Sequence, residues 1–223
     1  MSLRPEGSGG DIYFLFARLF REAPTRDLLH AIVRHHLLTA ARGPLGIRGE
    51  TAVLEDPTWL EKGEEIAIEF ASLFLVPGDQ AVLPYESCYC DTLTIDTSTA
   101  CSPYFEPEAF PKEGLKGFLC GPSTQSVRKA YEVFGFELDP SFHDLPDHVA
   151  VELEFMGRLL ASGENDQADQ FFREHLGRWI EPFLDRMIQQ STSGFYRAVA
   201  QSLRGYLKGI TALPSPAGAL AIP

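Results

Sequence analysis

The chain has 223 residues, 44% of them hydrophobic and 22% charged, so it is long enough to bury a core without disulfide or metal staples. Its 31 acidic and 19 basic residues leave a net charge of −12. That balance argues against a nucleic-acid binder, which needs a basic footprint for phosphates, and equally against an anionic membrane surface. It suits a basic partner through complementary fields, although acidity that only keeps the protein soluble is the plainer explanation.

The start, MSLRPEGSGGDIYFLFARLF, lacks the charged region, apolar core and small-residue cleavage site of a secretory leader. The longest apolar runs fall far short of a membrane span, so the expected location is the cytoplasm. Ile12 to Phe20 reads as an aromatic-rich helix, and Leu28, Leu29, Ile32, Val33 and Leu37 mark a second. AARGPLGIRG is a breaker-rich connection. Thr58 is placed to cap a third helix, with Ile66, Ala67, Phe70, Leu73 and Phe74 facing inward.

Residues 76–117 carry no helical period and many Pro, Gly, Ser and Thr residues. Loops this long in a compact domain are usually functional or disordered. Tyr85, Tyr89, Tyr104, Phe105 and Phe110 argue for order, so a long ordered loop is expected, packed against the start of the helix at 146–160. Ser126 to Phe134 is a helix closed by Gly135. In the next helix Asp144 is the expected cap, Pro146 a first-turn residue and Asp147 a carboxylate favoured by the helix dipole. Its inward face is Val149, Leu153, Met156 and Leu160.

The apolar pairs recurring over 168–190 predict one long helix, kinked or broken at Pro182. A last helix covers about 193–210, its buried side marked by Phe195, Tyr196, Val199, Leu203, Tyr206, Leu207 and Ile210. The tail over 210–223, rich in Pro, Gly and Ala, is expected to be loose. With no sustained alternation and no repeat, the expected fold is all-α: one helical-bundle domain over 1–223, of six to eight helices, with the long ordered loop between them.

Three constellations carry possible chemistry. Cys88, Cys90, Cys101 and Cys120 should be reduced thiols in the cytoplasm. Their spacing is not the paired CxxC of a zinc ribbon, yet it leaves open a metal- or cofactor-handling role. Asp147, His148 and Glu152 have the residue types of an acid/base or metal site, but two residues four apart on one helix supply too few ligands. A capping network at a helix start explains them as well. A hydrolase or transferase using these three is a further alternative, although the phosphate-loop, dinucleotide and nucleophile-elbow signatures are all absent. The third is the helix end Phe70-Ala71-Ser72-Leu73-Phe74, which runs into Pro77-Gly78 and then Pro84-Tyr85-Glu86-Ser87.

These last two segments together resemble the TorD/DmsD/NarJ family of redox-enzyme maturation chaperones. The resemblance rests on Phe70, Leu73, Phe74, Pro77, Gly78, Pro84, Tyr85, Glu86 and Ser87, followed by Asp144, Pro146, Asp147, His148, Glu152, Leu153, Glu154, Phe155 and Met156. Phe171, His175, Leu176 and Trp179, and then the Phe195-Tyr196 pair, agree more weakly. Val76 stands where the family often has Gly, and the cysteines lie outside its pattern.

The resemblance implies an all-helical cytoplasmic chaperone with no enzymatic activity, catalytic residue, metal or cofactor. It would bind the twin-arginine signal peptide or N-terminal segment of a molybdenum-containing oxidoreductase subunit and assist maturation before export. It implies apolar peptide contacts from Phe70, Leu73, Phe74, Pro84 and Tyr85 and polar ones from Asp147 and His148. Glu86, Ser87 and Glu152 join the candidates from their place in the motifs. Neither nucleic acid nor stable membrane insertion belongs to this reading, and both a monomer and a homodimer are compatible with it.

Overall fold

The computed structural model describes residues 9–42, 56–93, 115–117, 119–138 and 142–211. Among them the fold is all-α. In chain order the helices are α1 (Gly9–Arg21), α2 (Arg26–His35), α3 (Leu37–Arg42), α4 (Gly63–Phe70), α5 (Glu86–Cys90), α6 (Pro122–Val133), α7 (Val149–Ala161), α8 (Asn165–Glu174), α9 (Leu176–Gln190) and α10 (Phe195–Thr211). A 3₁₀ turn covers Pro57–Leu60, and a π turn, Ala71–Leu75, extends α4. Two short strands, β1 (Thr92–Leu93) and β2 (Leu115–Lys116), pair antiparallel, Thr92 opposite Lys116. No helix among the described residues is long and apolar enough to cross a membrane.

The chain forms two compact units. One comprises Met1–Ala17 and Leu83–Pro182; the other comprises Arg18–Val82 and Phe183–Pro223. The division falls within α1 and within α9, at Pro182.

The first unit is built around α7, nine of whose residues are buried. Phe155 on α7 sits with its ring centroid 4.8 Å from both Tyr131 of α6 and Phe171 of α8, edge to face. Against the first turns of α1, glycines allow backbone approach: a Cβ on Gly10 would lie 2.6 Å from Gly157 O. A Cβ on Gly157 would lie 2.8 Å from the Phe14 ring.

The second unit packs α3 along α10, where Ser202 Oγ donates to Leu38 O at 2.6 Å. Its aromatic core joins Phe20, Phe74 and Phe183, Phe70 with Tyr196, and Trp59 edge-on to Phe195. Glu69 of α4 is buried, and its carboxylate accepts from the Thr192 and Ser193 backbone N–H groups and from the Ser191, Thr192 and Ser193 hydroxyls, just ahead of α10.

Several boundaries differ from those expected. The second predicted helix is two, because His36 adopts the left-handed conformation (φ 50°) and turns the chain. Thr58 is not a helix cap. Asp56 Oδ1 accepts the Thr58 N–H at 2.9 Å and opens the 3₁₀ turn instead, while α4 starts at Gly63 behind Lys62. The helical run over 168–190 breaks at His175 (φ −126°, ψ −95°), seven residues before Pro182, which lies inside α9. Gly177 makes the close junction possible: a Cβ there would meet Phe172 O at 2.6 Å. Helix α6 begins four residues earlier than expected. Cys101, Tyr104, Phe105, Phe110 and residues 212–223 lie outside the described residues.

Candidate functional site

The two motifs of the first unit meet through their backbones. Tyr85 and His148 form an isolated antiparallel bridge, with Val149 N donating to Pro84 O at 2.8 Å and Glu86 N to Asp147 O at 3.0 Å. Pro84, which has no N–H to give, contributes only its carbonyl. The Tyr85 ring stands edge-on to the His148 imidazole at 5.3 Å, and Phe142 does the same at 5.6 Å.

Helix starts organise the polar groups. An α-helix leaves its first N–H groups without intrahelical partners. His148 itself caps α7: its Nδ1 accepts the Ala150 N–H at 3.1 Å, so in this arrangement Nδ1 carries no proton. Asp144 and Pro146 therefore precede the helix instead of opening it. Asp144 Oδ1 accepts the Leu145 N–H at 2.7 Å and the Tyr85 hydroxyl at 2.8 Å. Burial and that bond to Asp144 together push the Tyr85 phenol well above its ordinary pKa.

Asp147 caps a different helix: its Oδ2 accepts the Ser87 N–H, in the first turn of α5, at 3.0 Å across 60 positions of sequence. Asp91, at the far end of α5, does the same for α6, accepting from the Ser123 N–H at 3.0 Å and hydroxyl at 2.6 Å. Gly121 leaves room for that carboxylate, since a Cβ would lie 2.1 Å from Asp91 Oδ2.

Behind the bridge lies a buried acidic cluster. Glu86 Oε2 pairs with His175 Nδ1 at 3.0 Å, and Arg178 stands 3.8 Å from its Oε1. Glu152 accepts the Trp179 indole N–H at 3.2 Å. Burial raises the Glu152 carboxyl well above its usual range, nearby Glu86 adds to the rise, and the indole bond opposes it. Glu86 is raised too, by burial first, against the pull of His175. Ser87 Oγ, Asp147 Oδ1 and Glu152 Oε1 make no hydrogen bond. His175, Arg178, Trp179 and Asp144 complete a network whose members the motif spacing did not assign to it. The Phe171-His175-Trp179 period was visible in the sequence, but it shows only which face of a helix is buried.

Of the predicted peptide contacts, Tyr85 is half-buried, while Pro84, Glu86, Ser87, Asp147, His148 and Glu152 are buried, all in the first unit. Phe70, Leu73 and Phe74 belong to the second unit, where Phe70 and Leu73 are core and Phe74 is partly exposed. Three cysteines are described: Cys88 buried, Cys90 half-buried and Cys120 exposed. Burial pushes the Cys88 and Cys90 thiols up to about 11, which weakens them as nucleophiles and ligands at neutral pH. Among the described residues no three His, Cys, Asp or Glu side chains are placed to hold a metal ion.

The family model described as "Nitrate reductase delta subunit" matches residues 44–185, which span both motifs. The chain belongs to the nitrate reductase delta subunit family. Within reach of it are proteins named chaperone protein TorD. That of Shewanella piezotolerans is 25% identical over 193 residues, covering 85% of this chain and 84% of the relative. That of Shewanella pealeana is 23% identical over 159 residues, covering 67% of this chain and 72% of the relative. These relatives are named as chaperones and not as enzymes. A crystal structure from Archaeoglobus fulgidus, described as a redox enzyme maturation protein, shares the fold with a TM-score of 0.53 at 21% identity, over 93% of this chain and 98% of that one.

Proposed function

We propose that this chain is a cytoplasmic chaperone for a molybdenum-containing oxidoreductase subunit, which binds the subunit's twin-arginine signal peptide or N-terminal segment and assists its maturation before export. The observation that carries the reading is the Tyr85–His148 bridge, which joins the Pro84–Ser87 and Asp147–Glu152 segments of the two family motifs. Membership of the family and the TorD relatives supply the class of partner. The net charge of −12 suits a ligand that is basic at one end.

The motif residues serve this function in two ways. Tyr85 and exposed Asp144, in the first unit, have surface to offer a peptide. Pro84, Glu86, Ser87, Asp147, His148 and Glu152 hold the bridge, the caps and the floor beneath them, and Phe70 and Leu73 hold Phe74.

Calorimetric titration with twin-arginine signal peptides from the host's molybdoenzymes, with Lys-Lys and scrambled controls, tests this. Selective micromolar or tighter binding is expected, weakened at least tenfold by Asp147→Ala, which uncaps α5 beside Tyr85. Equal binding of scrambled peptides, or unchanged affinity in a folded Asp147→Ala protein, would sink the site.

A further inference from the structure

On the second unit, the helix that buries Phe70 and Leu73 turns other large apolar side chains outward. Ile68 is 66% exposed, Leu75 64% and Val76 57%, which makes them three of the most exposed large apolar residues described. Folding gains nothing from this exposure, and contiguous exposed apolar surface marks interaction sites. The backbone is unusual at the same place. The helix finishes in the π turn Ala71–Leu75, with Ser72 Oγ donating to Ile68 O at 3.0 Å, and such turns recur at functional positions.

The strip has a direction. Glu64 and Glu65, both exposed, stand four and three residues before Ile68, on the same helical face. Leu75 and Val76 close the other end, eleven residues or roughly 16 Å farther along at 1.5 Å per residue. Exposed Glu61 and Asp79 add to the rim. Besides buried Glu69, residues 61–82 hold four carboxylates, Glu61, Glu64, Glu65 and Asp79, and a single cation, Lys62. An extended segment covers about 16 Å in roughly five residues.

We propose that this strip is a docking face for the client's signal peptide, taking its basic pair over Glu64 and Glu65 and its apolar stretch over Ile68, Leu75 and Val76. The inference rests on the proposed function and adds a contact surface and a polarity to it. The carboxylate rim selects the occupant. A second copy would bring its own Glu64, Glu65 and Asp79 against the same groups, on top of the net charge of −12 carried by each chain. An anionic lipid surface meets the same repulsion. A cationic, then apolar, segment complements both ends.

The test is fluorescence anisotropy of a labelled twin-arginine peptide against the full chain and the variants Ile68→Ser/Leu75→Ser and Glu64→Gln/Glu65→Gln, with melting temperatures checked alongside. These side chains are exposed, so the variants should melt within a few degrees of the parent. The apolar variant should bind at least tenfold more weakly. The acid variant should lose about tenfold against the Arg-Arg peptide, with a shallower salt dependence, and almost nothing against a Gln-Gln peptide. If the parent binds the peptide and both variants match it, the docking face is wrong while the chaperone reading stands. If the parent binds no twin-arginine peptide, both fall. A parent that sediments as a dimer and dissociates on Leu75→Ser would show that a second copy covers the strip, and would overturn the proposal.

Discussion

Glu69 in the second unit and Glu152 in the first are both buried glutamates on helices, and the protein solvates them in opposite ways. Glu69 takes two backbone N–H groups and three hydroxyls from residues 191–193, so water is replaced by a full set of donors. Glu152 has one indole N–H, an oxygen with no bond, and two other carboxyls nearby, Glu86 and Asp147. A charge with fixed donors ties two segments together. A carboxyl with few donors keeps its proton, because an isolated buried charge costs far more than a neutral acid. The first arrangement anchors a helix start; the second disfavours the charged form of an acid behind the Tyr85–His148 bridge.

The sharpest way to break this contrast is at Glu69. Glu69→Ala strands the donors of 191–193 and loosens the start of α10, and should cost about 3 kcal/mol in urea denaturation. Glu69→Gln, which keeps one acceptor and turns an amide toward the donors, should fall between the two. A loss under about 1 kcal/mol for Glu69→Ala would mean that water replaces the carboxylate freely and that the latch is not structural.

At Glu152 the expected effect is smaller and depends on pH. Its folded pKa is raised above the unfolded value of about 4.3. Between those two values the folded chain holds a proton that the unfolded chain has lost. The stability this group contributes is therefore complete below about pH 4.3 and is lost as pH rises toward the folded value. Glu86 shifts in the same direction and adds to the slope. Glu152→Gln is neutral at every pH and should flatten the fall in stability above about pH 4.3, measured by denaturation at fixed ionic strength. Parallel profiles for parent and variant would show that Glu152 is ionised in the folded protein.

These caps also explain which parts of the molecule were legible in the sequence. Periodic faces largely were: Val149, Leu153 and Met156 of α7 and Phe195, Tyr196, Val199, Leu203 and Leu207 of α10 are buried as the spacing predicts, while Leu160 and Tyr206 are half-buried and α7 also buries Val151, Phe155 and Leu159. The long-range caps were not, because their acceptors come from far away: Asp147 serves Ser87, Asp91 serves Ser123, and Glu69 serves residues 191–193. The local closure of α6 by Gly135 was legible, and its φ of 61° agrees with it. The breaks at His36 and His175 escaped for a related reason. Neither is a glycine or proline, and His175 is drawn into a pair with Glu86, 89 positions away. That Tyr85 and His148 would meet came from the family resemblance, since nothing in the spacing of two short segments requires them to pair.

The smallest expected effect separates a cap from a contact at His148, whose own side chain serves the start of α7. His148→Ala removes the acceptor for the Ala150 N–H and should cost about 1 kcal/mol, the usual worth of an N-cap. His148→Ser supplies an oxygen at the same position and should recover most of that loss. The Tyr85 bridge itself is made by backbone groups of Pro84, Glu86, Asp147 and Val149, so it survives either change. Stability and peptide affinity can therefore be read independently. If serine restores both, the imidazole acts only by capping α7, as the Glu69 carboxylate acts on α10. If serine restores stability while affinity stays low, the ring between Tyr85 and Phe142 shapes the binding surface itself, and His148 has a second role that no other capping group here has.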